Sequence, residues 1–192
     1  MYLSEGTTIK LSDKIYLRNI SINDADKDKQ SWKWLNNKNI TLYMNKNNVN
    51  NTPKKQEKFI NKIIDSKKDL MFAICTYQDN EHIGNVGLHN INLEKKNSQF
   101  GILIGETKFH NLGIGTLVWK NVVAYGFNKL NLKSIYTKIF SENLPSLKIA
   151  KKVGFVVTSK YKKEILKDNK YYDRFALELS YLNWIKIDEK KD

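Results

Sequence analysis

A chain of 192 residues that is 41% hydrophobic and 11% aromatic has apolar material for one well-buried core and too little length for two, which excludes a disordered chain and favours a single domain. The formal net charge of +13 favours anionic partners, whether a phosphorylated cofactor, a nucleotide-linked substrate or nucleic acid, without choosing among them. No apolar run approaches the ~20 residues of a membrane-spanning helix and residues 1–5 lack a signal-peptide pattern, so the expected location is the cytoplasm, away from membranes.

In chain order, residues 15–20 read as a first strand with Ile15 and Leu17 on one face. Asp24 opens a helical stretch containing Trp32, Trp34 and Leu35, and an asparagine-rich irregular segment covers 40–51. Thr52-Pro53 starts a second helix, a capping hydroxyl followed by proline in the first turn, with Phe59, Ile60, Ile63 and Ile64 on its apolar face. Three strands follow, at 70–77, 82–91 and 99–104, separated by polar turns as in an antiparallel meander. Cys75, the only cysteine, sits inside the first of them and is expected to pack rather than react.

The segment His110-Asn111-Leu112-Gly113-Ile114-Gly115-Thr116 then joins a strand to a helix whose apolar face carries Leu117, Val118, Val122, Val123, Phe127 and Leu130. Glycines at such a junction let successive N–H groups converge, and the helix N-terminus adds its positive dipole end, which is the geometry of an anion site. Alone, a G-x-G there is as often a plain connection. Residues 134–139 form the next strand; reached through a helix, it pairs parallel with its predecessor. A short helix begins at Asn143-Leu144-Pro145-Ser146 and stops at Gly154, strands at 155–164 and 171–179 close a hairpin, and residues 185–192 read as a charged, frayed tail beyond a domain covering 1–184.

This order of elements, and two motifs, resemble the GCN5-related N-acetyltransferases over nearly the whole chain. The family's pyrophosphate loop, Gln/Arg-x-x-Gly-x-Gly/Ala, is matched by residues 110–115 with His110 in first place. Its Asn-x-x-Ser motif, followed by a helix ending Lys-x-Gly-Phe, is matched by Asn143, Ser146, Lys152, Gly154 and Phe155. Residues 34–36 and 169–173 are similar to the branch holding ribosomal-protein N-terminal acetyltransferases (the RimJ/RimL type) and amino-sugar acetyltransferases. The resemblance implies an α+β fold in α/β/α layers. Its mixed central sheet would have about seven strands, an antiparallel N-terminal meander and a parallel pair splayed at a cofactor slot.

The resemblance also implies acetyl-coenzyme A as donor and no metal. Backbone N–H groups of Asn111, Leu112, Gly113, Ile114, Gly115 and Thr116 would hold the pyrophosphate, with His110 beside them. Leu103, Ile104 and Gly105 would pair with the pantetheine arm, an N–H near Ile104 would stabilise the developing oxyanion, and Asn143 would hold the arm from the other side. The acceptor would be a primary amine of a small molecule, including a nucleotide-linked amino sugar, or a protein N-terminus.

An alkyl ammonium titrates near ~10 and must lose a proton before it attacks, so a base is needed; His89 and Glu106 are the candidates. The family's usual proton donor to the thiolate, a tyrosine four residues after the motif serine, is replaced by Ala150, leaving Ser146 as a substitute. Trp34, Tyr43, Gly87, Tyr171, Tyr172 and Asp173 are acceptor-side suspects by position. Two readings from other classes stay open: a non-catalytic coenzyme A-binding module, and a nucleic-acid-binding protein using the basic surface, although no zinc-ligand spacing or RNA-binding motif supports the latter. A homodimer is open as well.

Overall fold

The computed structural model describes residues 8–45 and 50–189. Residues 46–49, inside the asparagine-rich segment, lie outside the described residues, as do 1–7 and 190–192. One eight-stranded sheet runs in the order β1-β2-β3-β4-β5-β6-β8-β7, comprising β1 (Thr8–Lys10), β2 (Ile15–Asn19), β3 (Leu70–Thr76), β4 (His82–Asn92), β5 (Asn97–Ile104), β6 (Ser134–Phe140), β7 (Val156–Lys167) and β8 (Lys170–Ser180). Every pair is antiparallel except β5–β6. The expected count of seven missed β1, an edge strand too short for a period to show.

Both faces of the sheet are covered. Phe72, Ile74, Val86, Leu88 and Phe100 pack on one side against α4 (Ile114–Leu130) and α5 (Leu144–Val153). On the other, Met71, Ala73 and Cys75 meet Ile60 and Ile63 of α3 (Pro53–Asp65). Period-two alternation along β3 therefore feeds two cores, which is why the whole strand is buried. Burial pushes the Cys75 thiol up from its ordinary value, in keeping with a packing role.

The helical stretch expected from Asp24 is divided. A 3-10 turn, Ile22–Ala25, is closed by a capping box between Ser21 and Asp24, and two single-turn helices follow, α1 (Ser31–Trp34) and α2 (Lys38–Thr41). Asp24 is drawn out of a helix-opening role because its carboxylate is buried beside Arg18, 2.6 Å away, and His82, 3.2 Å away. Beyond Trp184 the chain is still helical, as α6 (Tyr181–Asp188). The frayed tail expected from 185 thus starts later; a β-carbon on Gly154, which sits at φ +111, would overlap Ile187 of this helix.

Candidate active site

The parallel strands part almost as soon as they pair. Backbone register joins Asn97–Gln99 to Ser134–Tyr136 and goes no further, and only the Thr137 hydroxyl reaches across, donating to the Phe100 carbonyl at 3.1 Å. Beyond that point β5 stays with β4, where Gly105 donates to Ile83 at 2.9 Å. Because an antiparallel ladder alternates, the backbone groups of Ile102 and Ile104 face away from β4, toward the gap. The gap opens into a cavity of roughly 620 Å³ that passes through the sheet.

The glycine loop follows β5 and leads into α4, which reaches the cavity at Trp119. Asn111 and Gly113 have positive φ (61 and 78), and Gly113 caps α4 with no side chain bonding its first turn. A β-carbon on Gly113 would point into open space, whereas one on Gly115 would press on Ile149 of α5 at 3.3 Å. Thus Gly113 shapes the loop and Gly115 also lets α4 and α5 close together. His110 ties the loop to the strand, its Nε2 lying 2.9 Å from the Ile104 carbonyl. Leu112 is exposed, Ile114 is buried in the core, and Thr116 stands in the first helical turn.

Asn143 caps α5, its Oδ1 accepting from the Ser146 N–H at 3.2 Å, and both residues line the cavity. Ala150, one turn on, is wholly buried in the core. Trp119 also lines the gap, stacked on Phe100 at 4.4 Å, with an indole N–H that is buried and without a partner among the described residues. A backbone edge and an orphaned donor around one slot suit the amide-rich arm of a coenzyme A molecule, and the uncapped start of α4 suits its phosphates. Leu103 and Ile102 line that slot, whereas Ile104, whose carbonyl is taken by His110, does not.

The cavity also reaches the α1–α3 face. Here His89 lies over Gly87 and Gly101; a β-carbon on Gly87 would stand 2.9 Å from its Nε2. Its Nδ1 is 3.0 Å from Asp69 Oδ1, and Asp69 also accepts from Ser66 and the Asn90 N–H. Burial pushes the Asp69 carboxyl up, but these hydrogen bonds outweigh it and hold the group below its ordinary value. An ionised Asp69 fixes the proton on Nδ1, which leaves Nε2 as an acceptor in the cavity wall.

Several suspects take other roles. Glu106 does not line the cavity: its Oε1 accepts from the Trp34 indole at 2.8 Å, which corrects its assignment as a base. Asp173 is also displaced from the site, because its carboxylate takes the Lys163 N–H at 2.9 Å and the Lys160 ammonium at 3.2 Å within the final hairpin. Tyr172 meets Phe140 edge-on at a centroid distance of 5.5 Å and Tyr171 is exposed, neither lining the cavity, whereas Trp34, Tyr43 and Gly87 do.

Sequence reasoning missed the groups that hold the acceptor wall. Buried Lys167 donates to the carbonyls of Thr41, Leu42 and Met44 at 2.6 to 3.3 Å, and Arg174 bonds Asn45 Oδ1 at 2.8 Å. Both reach across more than a hundred residues, so no local pattern reveals them. Asp69 was findable: it precedes β3, and the β3–β4 register of Leu70 opposite Leu88 sets it beside His89.

A sheet split at its parallel pair, a glycine turn leading into α4 and a carboxylate-backed imidazole on the cavity wall together suit an acyl-coenzyme A-dependent transferase. The model of the acetyltransferase (GNAT) domain family matches residues 14–156, and the chain belongs to that family. It is an N-acetyltransferase, with acetyl-CoA as the donor its family uses. The uncharacterised N-acetyltransferase p20 of Bacillus licheniformis is 26% identical over 146 residues, covering 75% of this chain and 80% of that protein. The spermidine N(1)-acetyltransferase of Escherichia coli K12 is 31% identical over 93 residues, 48% of this chain and 50% of that protein. The crystal structure of spermidine N-acetyltransferase from Vibrio cholerae, in complex with CoA and spermine, superposes with a TM-score of 0.82 at 22% identity, covering 91% of this chain and 99% of that one. No helix among the described residues is long and apolar enough to cross a membrane.

Proposed function

We propose that the protein acetylates the primary amine of a small molecule by direct attack on the thioester of acetyl-CoA. The observation that carries this reading is the meeting, in one cavity, of His89 Nε2 with the backbone edge of β5 that faces the gap. Acetyl-CoA supplies an activated acetyl group and a thiolate leaving group. Everything else is done by the chain.

The first turn of α4 and the loop from Asn111 to Gly113 bind the pyrophosphate, and Leu103 and Ile102 align the arm along β5. The Ile102 N–H meets the negative charge that develops on the thioester oxygen, a contribution of about 2.7 to 4 kcal/mol per donor in measured oxyanion holes. The amine enters from the α1–α3 face and gives its proton to His89 Nε2, directly or through water, while Asp69 holds the imidazole in its productive tautomer and offsets the charge it gains. Ser146, which lines the same cavity, relays a proton from water to the departing sulfur, a role the buried Ala150 cannot fill.

Calorimetric titration with acetyl-CoA, followed by thiol release with a panel of amines, tests the reading. Binding and amine-dependent thiol release are expected. Binding with no transfer to any amine would instead make the chain a coenzyme A-binding module.

A further inference from the structure

We infer that the acceptor amine carries an anionic group, a carboxylate or a phosphate, and that the pocket rejects polycations. This rests on the acetyltransferase reading above and concerns the acceptor arm of the same cavity. Among the described residues, no aspartate or glutamate lines that cavity. The sequence explains why: between Asp28 and Glu57 the charged residues are all lysines, so the segment that walls the acceptor side brings no carboxylate.

The carboxylates held next to the cavity-lining groups are engaged elsewhere. Asp24 is paired with Arg18 and His82, Asp69 with His89 and Ser66, Glu106 with Trp34, and Glu164 with Arg174 and Lys138. The cations are less fully used. Lys138 is spent on Glu164, but among the described residues the Lys55 ammonium meets only the Asn50 carbonyl at 2.6 Å, and Lys55 lines the cavity.

The amides of the acceptor wall point to the same conclusion. Asn45 Oδ1 accepts from Arg174, a group that can only donate. Asn85 Oδ1 faces His82 Nε2 at 2.9 Å, and since that nitrogen also faces the Gly84 carbonyl it carries the hydrogen. Gln56 Oε1 accepts from Asn51, and Gln99 Oε1 from Asn90. Each of these four cavity-lining amides has committed its oxygen to the protein, leaving an NH2 donor without a partner among the described residues. Asn51 is the exception, with its NH2 engaged and its oxygen left over. Amides whose oxygens are committed, beside a lysine and with no carboxylate among the lining residues, favour an oxygen anion over a second ammonium. The positive surroundings also favour the neutral, attacking form of the amine.

The experiment compares kcat/KM for an amino sugar, the same sugar phosphorylated, a free amino acid and spermidine, in the parent protein and in Lys55→Gln, with acetyl-CoA binding measured separately. The phosphorylated sugar or the amino acid is expected to exceed the neutral sugar by about tenfold or more, with spermidine below all three. In Lys55→Gln that preference should fall by about tenfold, through KM rather than kcat. Preference for the phosphate over the carboxylate, or the reverse, identifies which anion the site takes. Spermidine as the best acceptor, or an anion preference unmoved in Lys55→Gln, overturns the inference while leaving the acetyltransferase reading intact. Acetyl-CoA binding without transfer to any of the four amines overturns both.

Discussion

The indole of Trp34 rests on Gly105: a β-carbon there would overlap the ring, whose Nε1 donates to the neighbouring Glu106 at 2.8 Å. Its ring also meets His82 edge-on at a centroid distance of 5.1 Å. One aromatic side chain thereby fixes the four-residue α1 to the end of β5 and to the buried Arg18–Asp24 pair, although α1 has no side-chain cap of its own.

Substituting Gly105→Ala therefore displaces Trp34, and overpacking of this kind costs about 1 to 3 kcal/mol. Urea denaturation should show that loss. Because Trp34 lines the acceptor arm, KM for the amine should rise several-fold while acetyl-CoA binding, measured by calorimetry, stays near the parent value. Unaltered stability and unaltered amine KM would show that the contact constrains nothing.

Gly113→Ala separates loop shape from packing. Its β-carbon has open space, so no clash opposes it, but the residue must hold φ +78, which costs a non-glycine residue roughly 1 to 2 kcal/mol. The loop relaxes and acetyl-CoA affinity should fall about tenfold or more, with little change in thermal stability. Gly115→Val should behave differently and lower stability too, through Ile149. Equal stability losses in both variants would contradict this division of roles.

The elements expected to hold the cofactor were legible because their signals are local: glycines at a strand-to-helix turn, and Asn143 three residues before Ser146 at the start of α5. The parallel pair followed from the connection through α4. The acceptor half was not, since it is assembled from distant pieces. Lys167 and Arg174 reach segment 41–45 from the last hairpin, and Glu106 and Asp173, plausible from position, spend their carboxylates on Trp34 and on two lysines. Short helices such as α1 and α2 complete too few turns for a period to appear, and α6 was hidden by the lysines and aspartates that give its end the composition of a tail.

The anchoring of the acceptor wall should be sensitive to acid. Glu164 accepts from Arg174 at 2.8 Å and from Lys138 at 2.6 Å, and these bonds, Arg174 foremost, lower its carboxyl from 4.5 to about 2 against an opposing effect of burial. A depressed folded value means that the stabilisation is complete above the unfolded value and lost as pH falls toward about 2. Glu164→Gln should therefore be less stable than the parent protein by about 1 to 2 kcal/mol near neutral pH, with the two melting curves converging under strong acid. A constant difference across that range would place the stabilisation elsewhere.

The proton path is tested at His89. If Nε2 takes the amine proton, His89→Gln should lower kcat by about 10²- to 10⁴-fold while acetyl-CoA binding persists, because the ring lies on the acceptor face and the cofactor is held by the loop, β5 and α5. Asp69→Asn keeps a hydrogen-bond acceptor near Nδ1 but removes the negative charge. The ring is then held less firmly in its productive tautomer, so kcat should fall by a smaller factor, near tenfold. Asp69 itself is held below its ordinary carboxyl value by its hydrogen bonds, so in the parent protein it is ionised near neutral pH. Rate profiles of the parent and both variants, with one verified amine in saturating acetyl-CoA, decide the matter. A limb that tracks only the pKa of the chosen amine, together with less than tenfold loss in His89→Gln, would remove the imidazole from the mechanism and leave deprotonation to water.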